Sequence, residues 1–323
     1  MSYNTLITGG TGFVGSHMID YVLKHSDDNV YVTKRWMEDT KNIDHVINNN
    51  RVHIVDCDLL DGMSVQRAVD ISKPDKVFHF AAQSFPEVSF KIPVITLQTN
   101  VVGTTHLLEA IKKSKYKPTI VSISSSEVYG NPLEEEIPIK EDNPIRPANP
   151  YSISKVGHDL MSQYYYKAHN LKIIITRMFS HEGARRGKEF ALSSFANQIV
   201  RNEKGLGDFK IRHGNLDSVR TYNHIEDAIE AYWLCSLSNR FGEIYNIGGD
   251  TTCKVGDVLD MLINLSPIKD KLEKKLDPKR VRPTDITLQI PSSDKFKEHF
   301  KWKPKKNLND ICIDLLEYWR KVI

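Results

Sequence analysis

The 323-residue chain is poor in cysteine, and its four, Cys57, Cys235, Cys253 and Cys312, stand far apart with no CxxC pair. That scatter argues against a zinc site or a disulfide framework and fits a reducing compartment. Net charge is equally scarce, +3 from 44 basic and 41 acidic residues, which leaves no polyelectrolyte signature for nucleic acid. Long apolar runs are missing too. None approaches the roughly 20 residues needed to cross a bilayer, and no signal-like segment precedes the first strand pattern. The expectation is a cytoplasmic, soluble protein with no membrane, nucleic-acid or metal partner. A chain of this length buries a full core and exceeds the usual size of one domain, so two lobes are expected.

What is present is alternation. Strand patterns at 3–8, 29–33, 52–55, 76–80, 119–122 and 172–176 are separated by helix patterns at 15–23, 62–71, 94–113 and 150–169. Near-continuous apolar strands between helices predict an α/β protein with a doubly wound parallel sheet, covered on both faces, that binds ligands at its strand C-terminal ends. After residue 179 the pattern turns irregular, through HEGARRGKEF, RNEKGLGDFKIRHGNLDS and DKLEKKLDPKRVRPTD. The expected division is a nucleotide-binding domain over 1–178, with later returns near 219–240 and 284–294, and a smaller, discontinuous substrate lobe over 179–323.

Two local motifs carry chemistry. Directly after the first strand pattern, Gly9, Gly12 and Gly15 open a helix pattern. Such glycines permit a tight turn and close approach of backbone to a pyrophosphate, and the helix N-terminus adds free N–H groups and a positive dipole. This is a Rossmann-type dinucleotide signature. Farther on, Tyr151 and Lys155 lie four residues apart in NPYSISKVGHD, on one face of a helix. A phenol is a poor base near neutrality, and a neighbouring cation favours its phenolate, which makes the pair a candidate general acid/base. Ser124, Ser125 and Ser126, just past a strand pattern, are candidate hydrogen-bond partners for the reacting oxygen, with capping of the loop backbone as the plainer role for the outer two. Asn100 in TNVVGT reads as a scaffold residue that fixes a helix.

Together TGGTGFVGSH, DCDLLD with Asp58, HFAAQS, TNVVGT, SSSEVYG and YSISK resemble the extended short-chain dehydrogenase/reductase family. TRMFSHEGARRG, GNLDSVRTYNHIEDAIEAYW, RPTD at 282–285 and the late WKPKKNLND narrow the likeness to its GDP-sugar branch, the GDP-mannose 4,6-dehydratase type. The likeness covers nearly the whole chain. It implies that Tyr151 takes the proton from the sugar C4 hydroxyl, that Lys155 lowers the phenol pKa and holds the nicotinamide ribose, and that Ser125 hydrogen-bonds the C4 oxygen. Glu127 matches the carboxylate that removes the C5 proton and expels the C6 hydroxyl as water; a salt-bridging glutamate at a strand end is its plain alternative. Gly9, Gly12, Phe13, Val14, Arg35, Asp58, Leu59, Ala81 and Lys155 match cofactor contacts. Ser84, Ser180, Arg220 and Arg282 match substrate contacts, the two arginines meeting the diphosphate.

The resemblance also implies a tightly bound NAD(P)(H) and a homodimer or homotetramer built on the helices over 94–113 and 150–169. Lys34 and Arg35 follow the second strand pattern with no acid before Glu38. Basic residues there favour NADP(H), and NAD(H) stays open because Arg35 can stack on adenine in either case. Ser180 stands where the branch has asparagine, which leaves room for a bulkier C6 substituent such as a heptose. The leading expectation is oxidation at C4 of a GDP-hexose or GDP-heptose followed by 4,6-elimination, in a surface-polysaccharide route. The alternatives are a C4 dehydrogenase, keto-reductase or epimerase without elimination, and a catalytically idle dinucleotide sensor of the same fold.

Overall fold

The computed structural model describes residues 2–281 and 284–323. In chain order come β1 (Asn4–Thr8), α1 (Phe13–His25), β2 (Asn29–Lys34), β3 (Val52–Asp56), α2 (Gly62–Ser72) and β4 (Lys76–His79). Then follow α3 (Pro86–Lys91), α4 (Pro93–Leu97), a π-helical turn over Gln98–Val102, α5 (Gly103–Lys113), β5 (Thr119–Ile123), α6 (Pro150–His169) and β6 (Ile173–Met178). The later part holds β7 (His181–Glu182), α7 (Ala191–Glu203), β8 (Lys210–His213), β9 (Val219–His224), α8 (Ile225–Ser236) and β10 (Ile244–Ile247). It ends with β11 (Thr251–Lys254), α9 (Val255–Asn264), β12 (Glu273–Leu276), β13 (Leu288–Gln289), α10 (Asp294–Phe300) and α11 (Leu308–Val322).

The expected α/β architecture is present. Seven strands form one sheet in the order β3-β2-β1-β4-β5-β6-β10, and the pairs from β3 to β6 are parallel. The order reverses direction between β1 and β4, the kind of switch point at which such sheets open a crevice for ligands. Two compact units account for the chain. The first comprises 1–128, 149–178 and 229–246, and the second 129–148, 179–228 and 247–323. Residues 219–228 and 284–294 thus group with the second unit, as does the segment between β5 and α6.

In the first unit, Leu6, Val77, Ile120 and Ile173 of adjacent strands pack with Val65 and Val69 of α2 and Leu107 and Ile111 of α5. Full burial of each such side chain contributes about 1.5–3 kcal/mol. The helix expected over 94–113 is broken into α4, the π turn and α5. Apolar periodicity continues through the break, but Asn100 is drawn inward: its Nδ2 donates to Gln83 O (2.9 Å) and Ser154 Oγ (2.8 Å), and its Oδ1 accepts from Gln83 N (2.8 Å). The extra residue of a π turn accommodates that pull.

The irregular reading of the second half misses three amphipathic helices. Leu192, Phe195, Ala196, Ile199 and Val200 on α7 meet Val258, Leu259 and Leu262 on α9 and Ile311, Leu315, Leu316 and Trp319 on α11, and together they form the core of the second unit. Among the described residues, no helix is long and apolar enough to cross a membrane.

A buried ion pair clamps α6 to the sheet of the first unit. Arg177 on β6 donates through Nε to Asp159 Oδ2 (2.8 Å) and through Nη2 to Oδ1 (3.2 Å), and Gln163 Nε2 donates to the same carboxylate (2.7 Å). Removing one partner strands the other charge in a dry interior. Arg177→Met is therefore expected to cost roughly 3 to 5 kcal/mol in chemical denaturation, and the double change with Asp159→Leu much less. Equal losses in both variants would show that packing, not the stranded charge, sets the cost.

Candidate active site

The glycine loop follows β1. Gly9 has φ +66°, and a side chain there would press on the backbone of Ala81, its Cβ 2.9 Å from Ala81 Cα. A Cβ on Gly15 would lie 2.4 Å from Gly9 O, so the first turn of α1 packs directly on the loop. Gly12 is the N-cap of α1 and donates to Gly9 O (3.1 Å), while Gly9 N donates to Thr33 Oγ1 (3.2 Å) on β2. Phe13 and Val14 begin the helix and are half-buried. Inside this cradle the Thr11 hydroxyl is buried with no hydrogen-bond partner among the described residues. A buried hydroxyl left unmatched beside a helix N-terminus fits a site completed by phosphate oxygens. Ala81 N is held by Thr8 Oγ1 (3.1 Å).

At the C-terminal ends of β2 and β3 opens a cavity of about 500 Å³, lined in part by Arg35, Trp36, Glu38, Asp58, Cys57 and Arg67. Asp58 Oδ1 accepts from Leu60 N (2.9 Å), and buried Leu59 packs on Gly103. Lys34 Nζ lies 3.1 Å from Asp56 Oδ1, so its charge is already answered within the sheet edge. Arg35 is exposed, and Glu38 turns back on it, accepting from Arg35 N (2.9 Å) with Oε2 3.7 Å from Arg35 Nε. A pair so exposed contributes little to stability and is easily exchanged for a ligand.

Tyr151 and Lys155 sit in the first two turns of α6, one turn apart, and are 9 % and 4 % exposed. The helix starts there because Asn149 caps it, accepting from Ser152 N (2.8 Å), with Pro150 at the first helical position. Lys155 Nζ donates to Ile123 O at the end of β5 (2.7 Å). Burial lowers its pKa to about 8, against an opposing influence from Asp159. Just past β5, Ser124 Oγ is buried with no hydrogen-bond partner among the described residues, and Ser125 Oγ accepts from Glu127 N (3.2 Å). The Glu127 carboxylate is held by the cap of α6 itself: Asn149 Nδ2 donates to Glu127 Oε2 (2.9 Å). Sequence reading marks neither Asn149 nor Thr11. An Asn-Pro pair before a helix pattern flags the first as a cap, and only the fold reveals that its other amide atom reaches Glu127, 22 residues away.

The remaining candidates divide between the units. Ser84, in the first, is exposed. In the second, Ser180 O accepts from Asn223 N (2.8 Å). Arg220 on β9 donates to Val219 O (3.0 Å) and to Ile286 O, with Asp285 Oδ1 3.9 Å away. Arg282 lies outside the described residues. Glu182, buried beside Arg186 (3.5 Å), has its carboxyl pushed up by burial.

The family model described as GDP-mannose 4,6 dehydratase matches residues 6–315. The chain belongs to that family. It is 28% identical over 246 residues to the GDP-6-deoxy-D-mannose reductase of Pseudomonas aeruginosa, covering 76% of this chain and 80% of the relative. It is 26% identical over 345 residues to the GDP-mannose 4,6-dehydratase of Yersinia enterocolitica, covering 96% and 92%. The crystal structure of dTDP-glucose 4,6-dehydratase from Bacillus anthracis in complex with NAD superimposes with a TM-score of 0.85 at 26% identity, covering 99% of this chain and 97% of that one. The protein is accordingly an enzyme of the nucleotide-sugar short-chain dehydrogenase/reductase type.

Membership in the family leaves the buried histidines of this chain to be accounted for. Burial pushes His79 and His181 down to about 3, helped by Lys155 and Arg186 respectively, and burial holds His158 well below its ordinary value. Unfolded, each ring takes its proton near pH 6.5. Below that value the unfolded chain binds more protons than the folded one, so stability present at neutral pH is lost as pH falls toward 3. Each ring's share is about 1.4 kcal/mol per pH unit. The melting temperature is expected to fall steadily from about pH 6.5 to about 5, above most of the carboxylate range. A flat profile there would contradict neutral burial of these rings.

Proposed function

We propose that the enzyme oxidises C4 of a GDP-hexose or GDP-heptose and then eliminates water across C5 and C6. The observation that carries this reading is the hydrogen bond from Asn149 to Glu127. One asparagine caps the helix bearing Tyr151 and Lys155 and holds the Glu127 carboxylate, which supports reading the tyrosine as base and the glutamate as the eliminating group. In the cycle, Tyr151 Oη accepts the proton of the C4 hydroxyl, with Lys155 favouring the phenolate, and Ser125 hydrogen-bonds the C4 oxygen. A carbonyl at C4 acidifies the C5 proton. Glu127 removes that proton and passes a proton to the C6 hydroxyl, which leaves as water. The C5–C6 double bond so formed would then take back, at C6, the hydride removed from C4 and, at C5, a proton from solvent, for a net loss of one water.

A nicotinamide dinucleotide fits the first unit. Gly9, Gly12, Phe13 and Val14 would receive its pyrophosphate beside the unmatched Thr11 hydroxyl, Asp58, Leu59 and Arg35 its adenosine end, and Ala81 and Lys155 its nicotinamide half. When bound, it supplies the hydride acceptor and donor. Lys34 and Arg35 give NADP(H) a slight advantage, reduced because Asp56 and Glu38 partly answer those cations, and NAD(H) stays open. For the diphosphate we assign Arg220, whose planar fork suits phosphate oxygens and would exchange its bonds to Val219 O and Ile286 O for them, with Arg282, Ser84 and Ser180 as further substrate contacts. A homodimer or homotetramer would cover the exposed Val94, Ile95, Val102, Ile153, Leu160 and Tyr164 on α4, the π turn and α6.

A second reading is favoured by the likeness to a GDP-6-deoxy-D-mannose reductase: chemistry at C4 alone, without elimination. Product mass separates the two. Incubation with GDP-mannose and with a GDP-heptose is expected to give a product lighter by one water and, in deuterated solvent, labelled at C5; a product lighter by two hydrogens, or a reduced ketone, supports the second reading. Tyr151→Phe is expected to lower turnover about a hundredfold or more in either case. Glu127→Gln should abolish loss of water while exchange at C4 persists. Dinucleotide released by denaturing the purified enzyme is expected to be retained through purification, and recovery of NAD alone would overturn the advantage given to NADP.

A further inference from the structure

Behind the acid/base pair lies a string of buried polar side chains that the chemistry above does not use. His79 on β4 and His158 on α6 are 2 % and 1 % exposed and stack with ring centroids 5.4 Å apart and planes 7° from parallel. Thr104 on α5 stands between them. Its Oγ1 lies 2.9 Å from His79 Nε2, 2.9 Å from His158 Nδ1 and 2.7 Å from Asn100 O. A hydroxyl has one proton, and a carbonyl only accepts, so that proton goes to Asn100 O and both ring nitrogens must donate to Thr104.

The far side of each ring then follows. A neutral imidazole has one N–H, so His79 is the Nε2–H tautomer and its Nδ1 accepts from Thr8 Oγ1 (2.8 Å), whose oxygen in turn accepts from Ala81 N (3.1 Å). His158 is the Nδ1–H tautomer and its Nε2 accepts from Ser122 Oγ (2.8 Å) on β5, next to the Ser162 hydroxyl (2.8 Å). Two rings in opposite tautomers satisfy every atom of the string, and a third proton would face an oxygen already donating. The titratable and charged groups around the rings are Lys155, which disfavours charge on both, and Asp159, which is occupied by Arg177.

We propose that His158 is a positioning residue for Lys155. The two lie three residues apart on α6 and grip consecutive residues of β5, Lys155 through Ile123 O (2.7 Å) and His158 through Ser122 Oγ (2.8 Å). Through Thr104 the grip extends to α5 and to Asn100, whose amide holds Gln83 and Ser154, and Ser154 Oγ donates to Tyr151 O (2.6 Å). The string thus fixes the rotation of α6 about its own axis, and with it where the Lys155 ammonium stands relative to the phenol. This rests on the assignment of Tyr151 and Lys155 as the acid/base pair.

His158→Phe keeps a ring but removes both hydrogen bonds. Its kcat is expected to fall about tenfold, since small misplacement of a reacting group is costly, with KM for the sugar nucleotide within about twofold. The pH profile of kcat should move to higher pH, because the phenol loses part of the cation's help, and His158→Gln, which can both donate and accept, should recover most of the rate and the original profile. A kcat that falls only with the folded fraction, on an unmoved profile, would sink the proposal. If His158→Phe does not fold, nitrogen-15 NMR of the wild-type enzyme decides: like tautomers in the two rings, or a doubly protonated ring at neutral pH, overturn it. Failure of the underlying assignment looks different, with Lys155→Met and Tyr151→Phe both retaining full activity.

Discussion

The structure depends on keeping one ammonium group buried and uncommitted. Lys155 has left water, and its hydrogen bond goes to a neutral carbonyl, Ile123 O, rather than to a carboxylate. The nearest acid on its helix, Asp159, is taken by Arg177 and Gln163. Two imidazoles close behind it are held neutral. In a low dielectric such a charge acts strongly on whatever dipole or acid faces it, and on the proposed assignment that acid is the phenol of Tyr151, one helical turn along α6. Desolvation favours the uncharged amine, and Lys155 accordingly sits near 8, so the site trades some cationic character for a field undiluted by water.

Asn149 illustrates a second economy of construction. A helix N-cap ordinarily uses its side-chain oxygen and leaves the amide nitrogen to solvent. Here the oxygen starts α6 and the nitrogen reaches Glu127 on the turn after β5. Any displacement of the cap is transmitted to both the helix that presents Tyr151 and the carboxylate. The relative placement of these proposed reacting groups is therefore tied to ordinary helix capping.

Much of the first unit is legible in the chain. β1, β2, β3 and β5 are short apolar runs bounded by turn residues, and α6 is bounded by Asn-Pro at its start and a left-handed Asn170 at its end, so its limits follow from local chemistry alone. The stretch 94–113 looks like one helix because its apolar spacing continues, whereas the π turn arises from side-chain bonds of Asn100 to residues far away in sequence. The second half is misleading for the opposite reason. Its glycine and charge-rich connections are conspicuous, and they mask the regular spacing of Leu192, Phe195, Ala196, Ile199 and Val200 on α7. At the site, residue types and the four-residue spacing of Tyr151 and Lys155 are visible. The neutral histidine string is not, because a solitary histidine in a helix carries no signal until β4, α5 and β5 bring Thr8, Thr104 and Ser122 to its nitrogens.

The sheet of the first unit is closed late. β6 is complete at residue 178, but its outer neighbour β10 spans Ile244–Ile247, so some 65 residues of other structure are synthesised before that edge is paired. During translation an apolar strand with unmatched N–H and C=O groups stands open to any neighbouring chain. The interleaved order thus leaves the outer edge of β6 to be covered only by a strand that emerges last in this sheet.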